Sequence, residues 1–225
     1  MTKPRYHYED INKVCTLSKI FDMVDTSDKV LDVGCATGYL GKKLKTDKGC
    51  YVVGIEFDAY MAEMAKLGCD QVIVKDAEEL DEIPFPEGFF NVMIFADVLE
   101  HLTNPAVVLK GFSRYLAPEG YVIASLPNIA NWTCRLNLML GKFDYKEYGI
   151  LDRTHLRFFT FKSLNRTVEE AGLKIIYVDI TENFTLPLIS RVPQLQQVWH
   201  AIAIAFKTLL AYQFVVKAVK KSSQS

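Results

Sequence analysis

The residues best suited to chemistry in this sequence surround a short glycine turn between residues 30 and 41. Val30 and Leu31 belong to an apolar run typical of a central parallel strand. Gly34 and Gly38 follow, and glycine permits the positive φ angles and the close backbone approach that a bound ligand requires. A strand, a tight glycine turn and a following helix together predict a nucleotide-binding turn.

The side chain of Asp32 bears on which ligand this turn binds. Residues 36–41 fit the pattern A-x-G-x-x-G, close to the dinucleotide fingerprint that places a pyrophosphate at a helix N-terminus. A fixed carboxylate just before the turn repels a pyrophosphate but attracts an ammonium group. S-adenosylmethionine carries an amino group, a sulfonium and no phosphate, so the sequence favours this ligand. The alternative is that Asp32 only accepts hydrogen bonds from nearby backbone groups.

A second acid stands at the end of the next apolar run. Residues 51–56 predict a strand, and Glu56 falls at its carboxyl end, where a carboxylate can accept both hydroxyls of a ribose. Charge-assisted hydrogen bonds of this kind contribute roughly 1.5–3 kcal/mol each. Glu56 suits the ribose of S-adenosylmethionine as well as that of a dinucleotide. It therefore supports a binding site here without deciding between the two ligands. Phe57, which follows, either stacks on adenine or packs against the protein.

Histidine is the natural candidate for a base. Among the four histidines, His101 and His155 fall in predicted loops near the carboxyl edge of the sheet, whereas His7 and His200 have weaker claims. An alcohol or phenol that acts as an acceptor needs a base, and imidazole has a suitable pKa for that role. We therefore expect His101 and His155 to be catalytic. The alternatives are that His101 caps the following helix and that His155 only pairs with Asp152.

The elements that must position these residues alternate along the chain. Apolar runs predict strands at 30–33, 51–56, 71–74, 91–96, 121–125 and 173–179. Amphipathic stretches predict helices at 11–24, 39–45, 59–67, 105–116, 161–171 and 194–210. This alternation predicts an α/β fold with a parallel, doubly wound sheet, and residues 212–219 predict a last antiparallel strand. Residues 118–120 predict a turn.

The length and apolar content suit one domain over residues 1–225, with a helical lead-in at 1–28 and an apolar helical segment at 184–210 before the last strand. Residues 128–160 break the alternation and mix aromatic with hydrogen-bonding side chains, as in walls that grip a polar substrate. This insertion supplies the expected acceptor-binding residues, namely Trp132, Arg135, Tyr145 and Arg157. The alternative is a surface flap held by Asp–Arg pairs and aromatic packing.

Composition limits the partners and the compartment. The net charge of -1 and the absence of a dense Lys/Arg run argue against a nucleic-acid partner. The five cysteines never form C-x-x-C, which predicts a reducing compartment and no metal site. The first ten residues lack the apolar core of a signal peptide, and polar residues interrupt the apolar stretch at 198–219. We expect a cytoplasmic protein without a transmembrane segment, in which the apolar helix either contacts lipid or belongs to the core; the oligomeric state stays open.

Several motifs carry a family resemblance. LDVGCATG, GIEFD, the pair Asp76-Ala77, FNV, LEHL and LAPEGYVIASLPN, in this order and spacing, resemble a class I S-adenosylmethionine-dependent methyltransferase over most of the chain. The resemblance implies a Rossmann-like, mostly parallel sheet of seven strands, with S-adenosylmethionine as cofactor and S-adenosylhomocysteine as product. The implied cofactor-binding residues are Asp32, Gly34, Cys35, Gly38, Glu56, Phe57, Asp76, Ala77, Ala96 and Asp97. In this set the glycine turn borders the methionine part, Glu56 the ribose, Asp76 and Ala77 the adenine, and Ala96 and Asp97 the sulfonium.

Two positions depart from the family pattern. Ala36 replaces a usual glycine, which puts a methyl group near the ligand and is expected to weaken cofactor affinity. Asn91 replaces a usual aspartate.

Later motifs suggest the acceptor. PNIANW, LGKFDY, GILDRTHLRFFT and AYQFVVKAVK resemble bacterial methyltransferases of the type 11/12 kind associated with glycan synthesis, with weaker similarity to proteins linked to methionine biosynthesis and to ubiquinone O-methyltransferases. They imply methyl transfer to a small or lipid-linked molecule, at a hydroxyl oxygen on a sugar or quinone-like ring. A catalytically silent S-adenosylmethionine-binding partner protein is one alternative. A nicotinamide-dependent oxidoreductase is another, although Asp32 opposes its phosphate site and Tyr212 and Lys217 lack the Tyr-x-x-x-Lys spacing.

Overall fold

The computed structural model of the protein describes residues 16–182 and 193–221. The strands are β1 (Lys29–Val33), β2 (Tyr51–Glu56), β3 (Gln71–Val74), β4 (Phe90–Ala96), β5 (Leu116–Pro127), β6 (Leu173–Glu182) and β7 (Ala211–Lys220). The helices are α1 (Thr16–Met23), α2 (Tyr39–Lys48), α3 (Ala59–Ala65), α4 (Pro105–Ser113), α5 (Trp132–Met139), α6 (Phe161–Glu170), α7 (Pro193–Ala205) and α8 (Lys207–Leu210). A 3-10 turn, Leu99–His101, follows β4.

The strands form a seven-stranded sheet in the order β3-β2-β1-β4-β5-β7-β6. Strands β1 to β5 pair in parallel with their neighbours, and β7 lies antiparallel between β5 and β6. The expected α/β, Rossmann-like, mostly parallel sheet with an antiparallel last strand is therefore confirmed.

Helices cover both faces of the sheet because the central strands are apolar on both sides. Val30 packs with Ile20 of α1 and Leu44 of α2 in one core cluster. Leu31, the next residue along β1, packs with Leu109 of α4 in the other cluster, which also includes α6. Successive side chains of a strand point to opposite faces, so this division is what a doubly wound sheet requires.

The functional residues gather at the carboxyl edge of the parallel strands, where open α/β sheets bind ligands. The loops after β1, β2 and β4 lie there, and so does the segment that follows β5. Because β7 runs in the opposite direction, its first residues reach the same edge, where Gln213 pairs with Pro127. Asn91 is at the other end of β4, where its side-chain oxygen accepts a hydrogen bond of 2.9 Å from the backbone N–H of Lys29. This departure from the family pattern therefore lies away from the ligand-binding edge.

Several elements differ from the sequence-based expectation: α5 was not predicted, and β5 and β6 extend beyond the expected 121–125 and 173–179. The helix expected at 105–116 ends at Ser113, because Leu116 already pairs with Phe90 of β4. Residues 118–120, where a turn was expected, lie inside β5. They form an irregularity there, because the register with β4 shifts between the Phe90–Leu116 pair and the Val92–Tyr121 pair. The apolar segment forms α7 and α8, whereas residues 184–192, like residues 11–15 of the lead-in helix, lie outside the described part.

Across residues 16–182 and 193–221, the helices are too short or too polar to cross a membrane.

Candidate active site

The glycine turn after β1 has the backbone conformation that its sequence predicts. Gly34 and Gly38 adopt φ angles of 75° and 73°. The backbone N–H groups of Gly34 and Cys35 both donate to the carbonyl oxygen of Ile55, at 2.8 and 3.0 Å. A Cβ atom on Gly38 would come within 2.8 Å of the backbone of Ala65, so only glycine fits there without displacing α3. The turn is therefore held tightly against the end of β2.

The carboxylate of Glu56 braces this turn from the end of β2. One oxygen accepts a hydrogen bond from the backbone N–H of Ala36 at 2.9 Å, and the other accepts from that of Asp58 at 3.0 Å. Each carboxylate oxygen has a further lone pair, so both can still accept a hydrogen bond from a ligand hydroxyl. Glu56 thus combines a structural role with the capacity expected of a ribose-binding acid.

Asp32 is a buried carboxylate on β1, only 3% exposed. Burial, with a smaller contribution from the negative charge of Glu56, raises its pKa to about 7. Among the described residues no hydrogen bond to its side chain is found, which argues against the alternative that Asp32 serves local backbone donors. A cationic ligand group beside it would relieve the cost of its burial.

Phe57 and Asp76 occupy the rim of the same edge. Phe57 is 73% exposed, so its ring does not pack in the core and is open to stacking. An oxygen of Asp76 accepts a hydrogen bond of 2.9 Å from the backbone N–H of Glu78, which shapes the loop after β3 next to the half-buried Ala77. An exposed ring beside an acid that can bind a ribose suits an adenosine group.

Cys35 turns its side chain away from this edge. A Cβ atom built on Gly54 of β2 would lie 2.5 Å from the Cys35 sulfur, so the thiol points into the sheet. Hydrogen bonding with Cys69 and burial raise the pKa of the thiol, which keeps it protonated. Cys35 can therefore border a ligand only through its backbone.

At the end of β4, Asp97 is held in a left-handed conformation with a φ of 55°. Its carboxylate accepts hydrogen bonds from the Ser125 hydroxyl at 2.9 Å and from the Gln213 amide at 3.0 Å. Burial raises its pKa despite these bonds. The bonds fix Asp97 between the end of β5 and the start of β7, next to Ala96, which is half-buried.

Asp97 also lines a cavity of about 240 Å³ at the carboxyl edge. The other lining residues come from α1, the 3-10 turn, the end of β5, the insertion and the start of β7, namely Thr16, Leu17, Glu100, Pro127, Gly149, Asp152, His155, Tyr212 and Gln213. This volume is below the roughly 300–1,000 Å³ of typical sites for drug-sized ligands, so the cavity suits a single ring.

The imidazole rings of His101 and His155 lie edge to face, with their centroids 4.9 Å apart. Nδ1 of His101 is 3.2 Å from the carbonyl oxygen of Thr154, and Nδ1 of His155 is 3.1 Å from that of Ile150. A carbonyl oxygen only accepts, so these bonds put the hydrogen on Nδ1 and leave the Nε2 lone pair available. Burial lowers the pKa of His155, which keeps its ring neutral at pH 7.

Two simpler roles were considered for these histidines, namely that His101 caps the following helix and that His155 only pairs with Asp152. The contacts of the two rings differ from both. The side chain of Asn104 caps α4 by accepting from the backbone N–H of Val107 at 3.3 Å, so α4 does not depend on His101 for its cap. The ring of His155 bonds to a backbone carbonyl, although the charge of Asp152 still acts on it. The cavity lining includes His155 but not His101.

Glu100 places a buried acid beside these rings. It is 1% exposed, and one of its oxygens has no hydrogen-bond partner within the described part of the chain. The other oxygen lies 4.0 Å from Nε2 of His155. Burial, together with the charges of Asp97 and Asp152, raises the pKa of Glu100 well above its usual value.

Glu100, His101 and His155 each offer one ligand atom, and these atoms lie within 4.8 Å of one another. The three side chains could therefore hold a metal ion. The expectation of no metal site stays a prediction.

The four expected acceptor-binding residues do not line the cavity. Arg135 donates to the carbonyl oxygens of Ala130 and Thr208, at 2.6 and 3.4 Å. Arg157 donates twice to the carbonyl oxygen of Thr103. The exposed ring of Tyr145 contacts other aromatic rings of the insertion, and Trp132 is half-buried at the start of α5. Their role in acceptor binding stays a prediction.

Sequence reasoning did not select Glu100, Asp152, Tyr212 or Gln213 as site residues. Glu100 had a local signal, since it adjoins His101 and lies three residues after Asp97. Gly149 is a second case, in which the signal in the sequence is the glycine itself. Its φ of 95° favours glycine, and a Cβ atom there would lie 2.6 Å from the Tyr212 hydroxyl oxygen. Nothing local connects Tyr212 and Gln213 to the cavity, since the sheet order brings them there.

Comparison with known proteins identifies the family. Residues 12–178 match a family described as "Methyltransferase domain". A ubiquinone biosynthesis O-methyltransferase from Psychrobacter arcticus is 30% identical over 165 residues, which cover 68% of this chain and 62% of that protein. A probable S-adenosylmethionine-dependent methyltransferase from Mycolicibacterium smegmatis is 28% identical over 127 residues, which cover 56% of this chain and 49% of that protein.

Solved structures share the fold. A methyltransferase from Archaeoglobus fulgidus, described as dependent on S-adenosylmethionine, superposes with a TM-score of 0.62 over 91% of both chains, at 17% identity. One from Mesorhizobium loti superposes with a TM-score of 0.63 over 93% of this chain and 99% of that one, at 15% identity. The family match covers most of the chain, and the acids and exposed ring at the edge of β1 and β2 fit S-adenosylmethionine. The chain therefore belongs to the methyltransferase domain family, in the class that uses S-adenosylmethionine.

Proposed function

We propose that this protein transfers a methyl group from S-adenosylmethionine to a hydroxyl oxygen of a small or lipid-linked acceptor, on a sugar or quinone-like ring. The observation that carries this proposal is His155, a neutral histidine that lines a ring-sized cavity next to Asp97. An oxygen acceptor requires a base in such a position, because a hydroxyl must lose its proton as it gains the methyl group.

When bound, S-adenosylmethionine supplies a methyl group that its positive sulfur already activates. In this proposal Asp32 would attract the amino group, Glu56 would accept hydrogen bonds from the ribose, and Phe57 would offer a face for the adenine. Asp97 is fixed by Ser125 and Gln213 and lines the cavity, and it would border the sulfonium. Alignment of this kind contributes on the order of 7–11 kcal/mol in favourable cases.

On the acceptor side, Nε2 of His155 would take the proton of the hydroxyl as its oxygen bonds to the methyl carbon, while the bond from that carbon to sulfur breaks and leaves its electron pair on the sulfur. The resulting imidazolium keeps its Nδ1 hydrogen bond to the carbonyl oxygen of Ile150. It also lies 4.0 Å from the carboxyl group of Glu100, which stabilises the positive charge when that acid ionises. The low polarity of the buried surroundings strengthens this attraction.

One of the relatives supports an oxygen acceptor. The one from Psychrobacter arcticus is named as a ubiquinone biosynthesis O-methyltransferase, and its acceptor class is consistent with a ring-sized cavity.

A metal-assisted version of the same transfer is a second candidate, favoured by the close grouping of Glu100, His101 and His155. A divalent cation held by these three side chains would lower the pKa of the acceptor hydroxyl directly. In that case His155 is a ligand and not a base. The two candidates differ in their response to chelators.

The test uses S-adenosylmethionine with a deuterated methyl group and a panel of catechols, hydroxyquinols and sugars, with products detected by mass spectrometry. Parallel reactions contain EDTA or added Mg²⁺ or Zn²⁺. We expect labelled methyl ethers that form equally well in EDTA. Activity that EDTA abolishes and a metal ion restores would favour the metal-assisted version. Cofactor binding without product on any acceptor would instead favour the silent partner protein.

A further inference from the structure

The outward face of α7 and α8 is apolar, which is unusual for a surface helix. Large side chains recur there at spacings of three and four residues, namely Leu195, Val198, Ile202, Phe206 and Leu209. At about 100° per residue, the three residues of α7 fall within roughly 60° of one another. Phe206 lies between the two helices and Leu209 lies in α8. Val198 is 58% exposed and Phe206 is 60% exposed. We refer to these five side chains as the outer stripe.

Contacts on the opposite side of α7 and α8 fix the orientation of the outer stripe. Nδ1 of His200 lies 2.7 Å from a carboxylate oxygen of Glu182, and its Nε2 lies 2.9 Å from one of Asp179. Ala203 is fully buried, and the ammonium group of Lys207 lies 4.8 Å from the ring centroid of Phe161. The helix thus turns its ionisable groups toward the sheet and its large apolar groups toward solvent.

A hydrogen bond joins α8 to α5, since a guanidinium nitrogen of Arg135 lies 3.4 Å from the carbonyl oxygen of Thr208. The amide nitrogen of Asn128, just after β5, lies 3.3 Å from the same oxygen. Helix α5 also exposes apolar side chains, including Leu138 and Met139. The outer stripe therefore continues toward a second apolar element at the edge of the sheet where the cavity lies.

Charge distinguishes between the possible occupants of this surface. No Asp or Glu occurs in the sequence after Glu182 or between residues 129 and 143, whereas the exposed side chains of Arg135 and Lys142 lie in the second of these stretches. A second copy of the chain would bring like charges together at such an interface. An anionic membrane would neutralise them, while its acyl chains would cover the apolar side chains.

We propose that the outer stripe of α7 and α8 docks the protein onto the surface of an anionic lipid bilayer. The helix lies in the interface with its apolar face in the acyl boundary, and Arg135 on α5 and Lys142 just after it meet the headgroups. The docking is peripheral. It goes beyond the proposed methyl transfer and does not depend on it.

The test is co-sedimentation of the full-length chain with vesicles of phosphatidylcholine alone or mixed with phosphatidylglycerol. The altered protein carries Val198→Ser, Ile202→Ser and Phe206→Ser together, and the matched control carries Leu67→Ser and Ile176→Ser, two exposed apolar residues elsewhere. We expect binding to the anionic vesicles, lowered about tenfold or more by the triple substitution and unchanged in the control. High salt should weaken it as well.

Binding to S-adenosylhomocysteine, followed by calorimetry, verifies that each variant is folded, and the single substitution Phe206→Ser serves if the triple variant is not. Equal sedimentation of the wild-type protein with and without vesicles would overturn the proposal. So would a dimer in light scattering that the triple substitution dissociates, if no vesicle binding accompanies it. Neither result would bear on methyl transfer to a soluble acceptor.

Discussion

The two halves of the site are built in different ways. The cofactor side consists of two strand ends that are adjacent in sequence and in space, and backbone hydrogen bonds to Ile55 and the carboxylate of Glu56 hold its turn together. The acceptor side collects Asp97, His155 and Tyr212 from three distant parts of the chain. The first arrangement is fixed by local geometry, whereas the second depends on the order of strands in the sheet. Substitutions should therefore affect the two sides separately.

The largest effect is expected on the acceptor side. Replacement His155→Asn removes the base, so kcat for an oxygen acceptor should fall by about 10²–10⁴-fold. The affinity for S-adenosylhomocysteine, measured by calorimetry, should not change. His200→Asn is the control, since His200 contacts the carboxylates of Glu182 and Asp179 but lies outside the cavity lining. A wild-type kcat for His155→Asn would remove His155 from catalysis.

On the cofactor side, Glu56→Ala should weaken binding of S-adenosylhomocysteine by roughly 1.5–3 kcal/mol, since it removes the expected ribose acceptor. It should also lower the melting temperature, because the N–H groups of Ala36 and Asp58 lose their partner. Glu63→Ala, at an exposed acid on α3, provides the comparison. Unchanged affinity would mean that the ribose lies elsewhere.

Asp32 connects stability with pH. The pKa of Asp32 is about 7 in the folded protein, whereas its ordinary value is 3.8. Between these two pH values, the folded state keeps a proton that the unfolded state has released. Its contribution to stability is therefore complete below about pH 4 and is lost as the pH rises through about 7. Above pH 7, Asp32→Asn should raise the melting temperature of the cofactor-free protein.

The same change should weaken cofactor binding, because the amide cannot pair with the ammonium group. In the wild-type protein, the affinity for S-adenosylhomocysteine should decline as the pH falls below about 7 and the carboxylate is protonated. Titrations at several pH values measure both effects. An affinity that is independent of pH in the wild-type protein would show that Asp32 does not contact the amino group.

The smallest effect is expected at Ala36, which has a φ of 47° in a region that favours glycine. Ala36→Gly relieves a left-handed conformation that costs roughly 1–2 kcal/mol, but it increases the entropy of the unfolded chain by a comparable amount. We therefore expect little change in melting temperature and a modest gain in cofactor affinity, measured by calorimetry. Weaker binding would indicate that the methyl group of Ala36 contacts the cofactor favourably.

The difference between the two halves also explains what the sequence could predict. Strand β2 was predicted with its exact limits, because a buried parallel strand leaves a continuous apolar run. The positions of the glycine turn and of Glu56 could be predicted because each comes at the end of such an apolar run. The turn expected at residues 118–120 was wrong, since Pro and Gly also occur where a strand changes register.

Apart from Asp97 and His155, the residues that line the cavity could not be predicted from sequence. Arg135 and Arg157 donate to backbone carbonyl groups, and nothing local distinguishes such an arginine from one that meets a ligand. The burial of Glu100 depends on the insertion, whose Leu156 and Arg157 backbone N–H groups donate to its carbonyl oxygen. Tyr212 and Gln213 enter the cavity only because β7 lies beside β5.

That position of β7 has a consequence for the order of folding. Strand β6 is joined to the rest of the sheet through β7, although β6 precedes it in the chain. A partly folded chain in which β7 has not yet inserted leaves the edges of both β5 and β6 open, a state prone to pairing with other molecules. Closure of this gap requires contacts between distant residues, which makes it a slow step. Catalytic competence should therefore arise late in refolding, after most of the helical signal has returned.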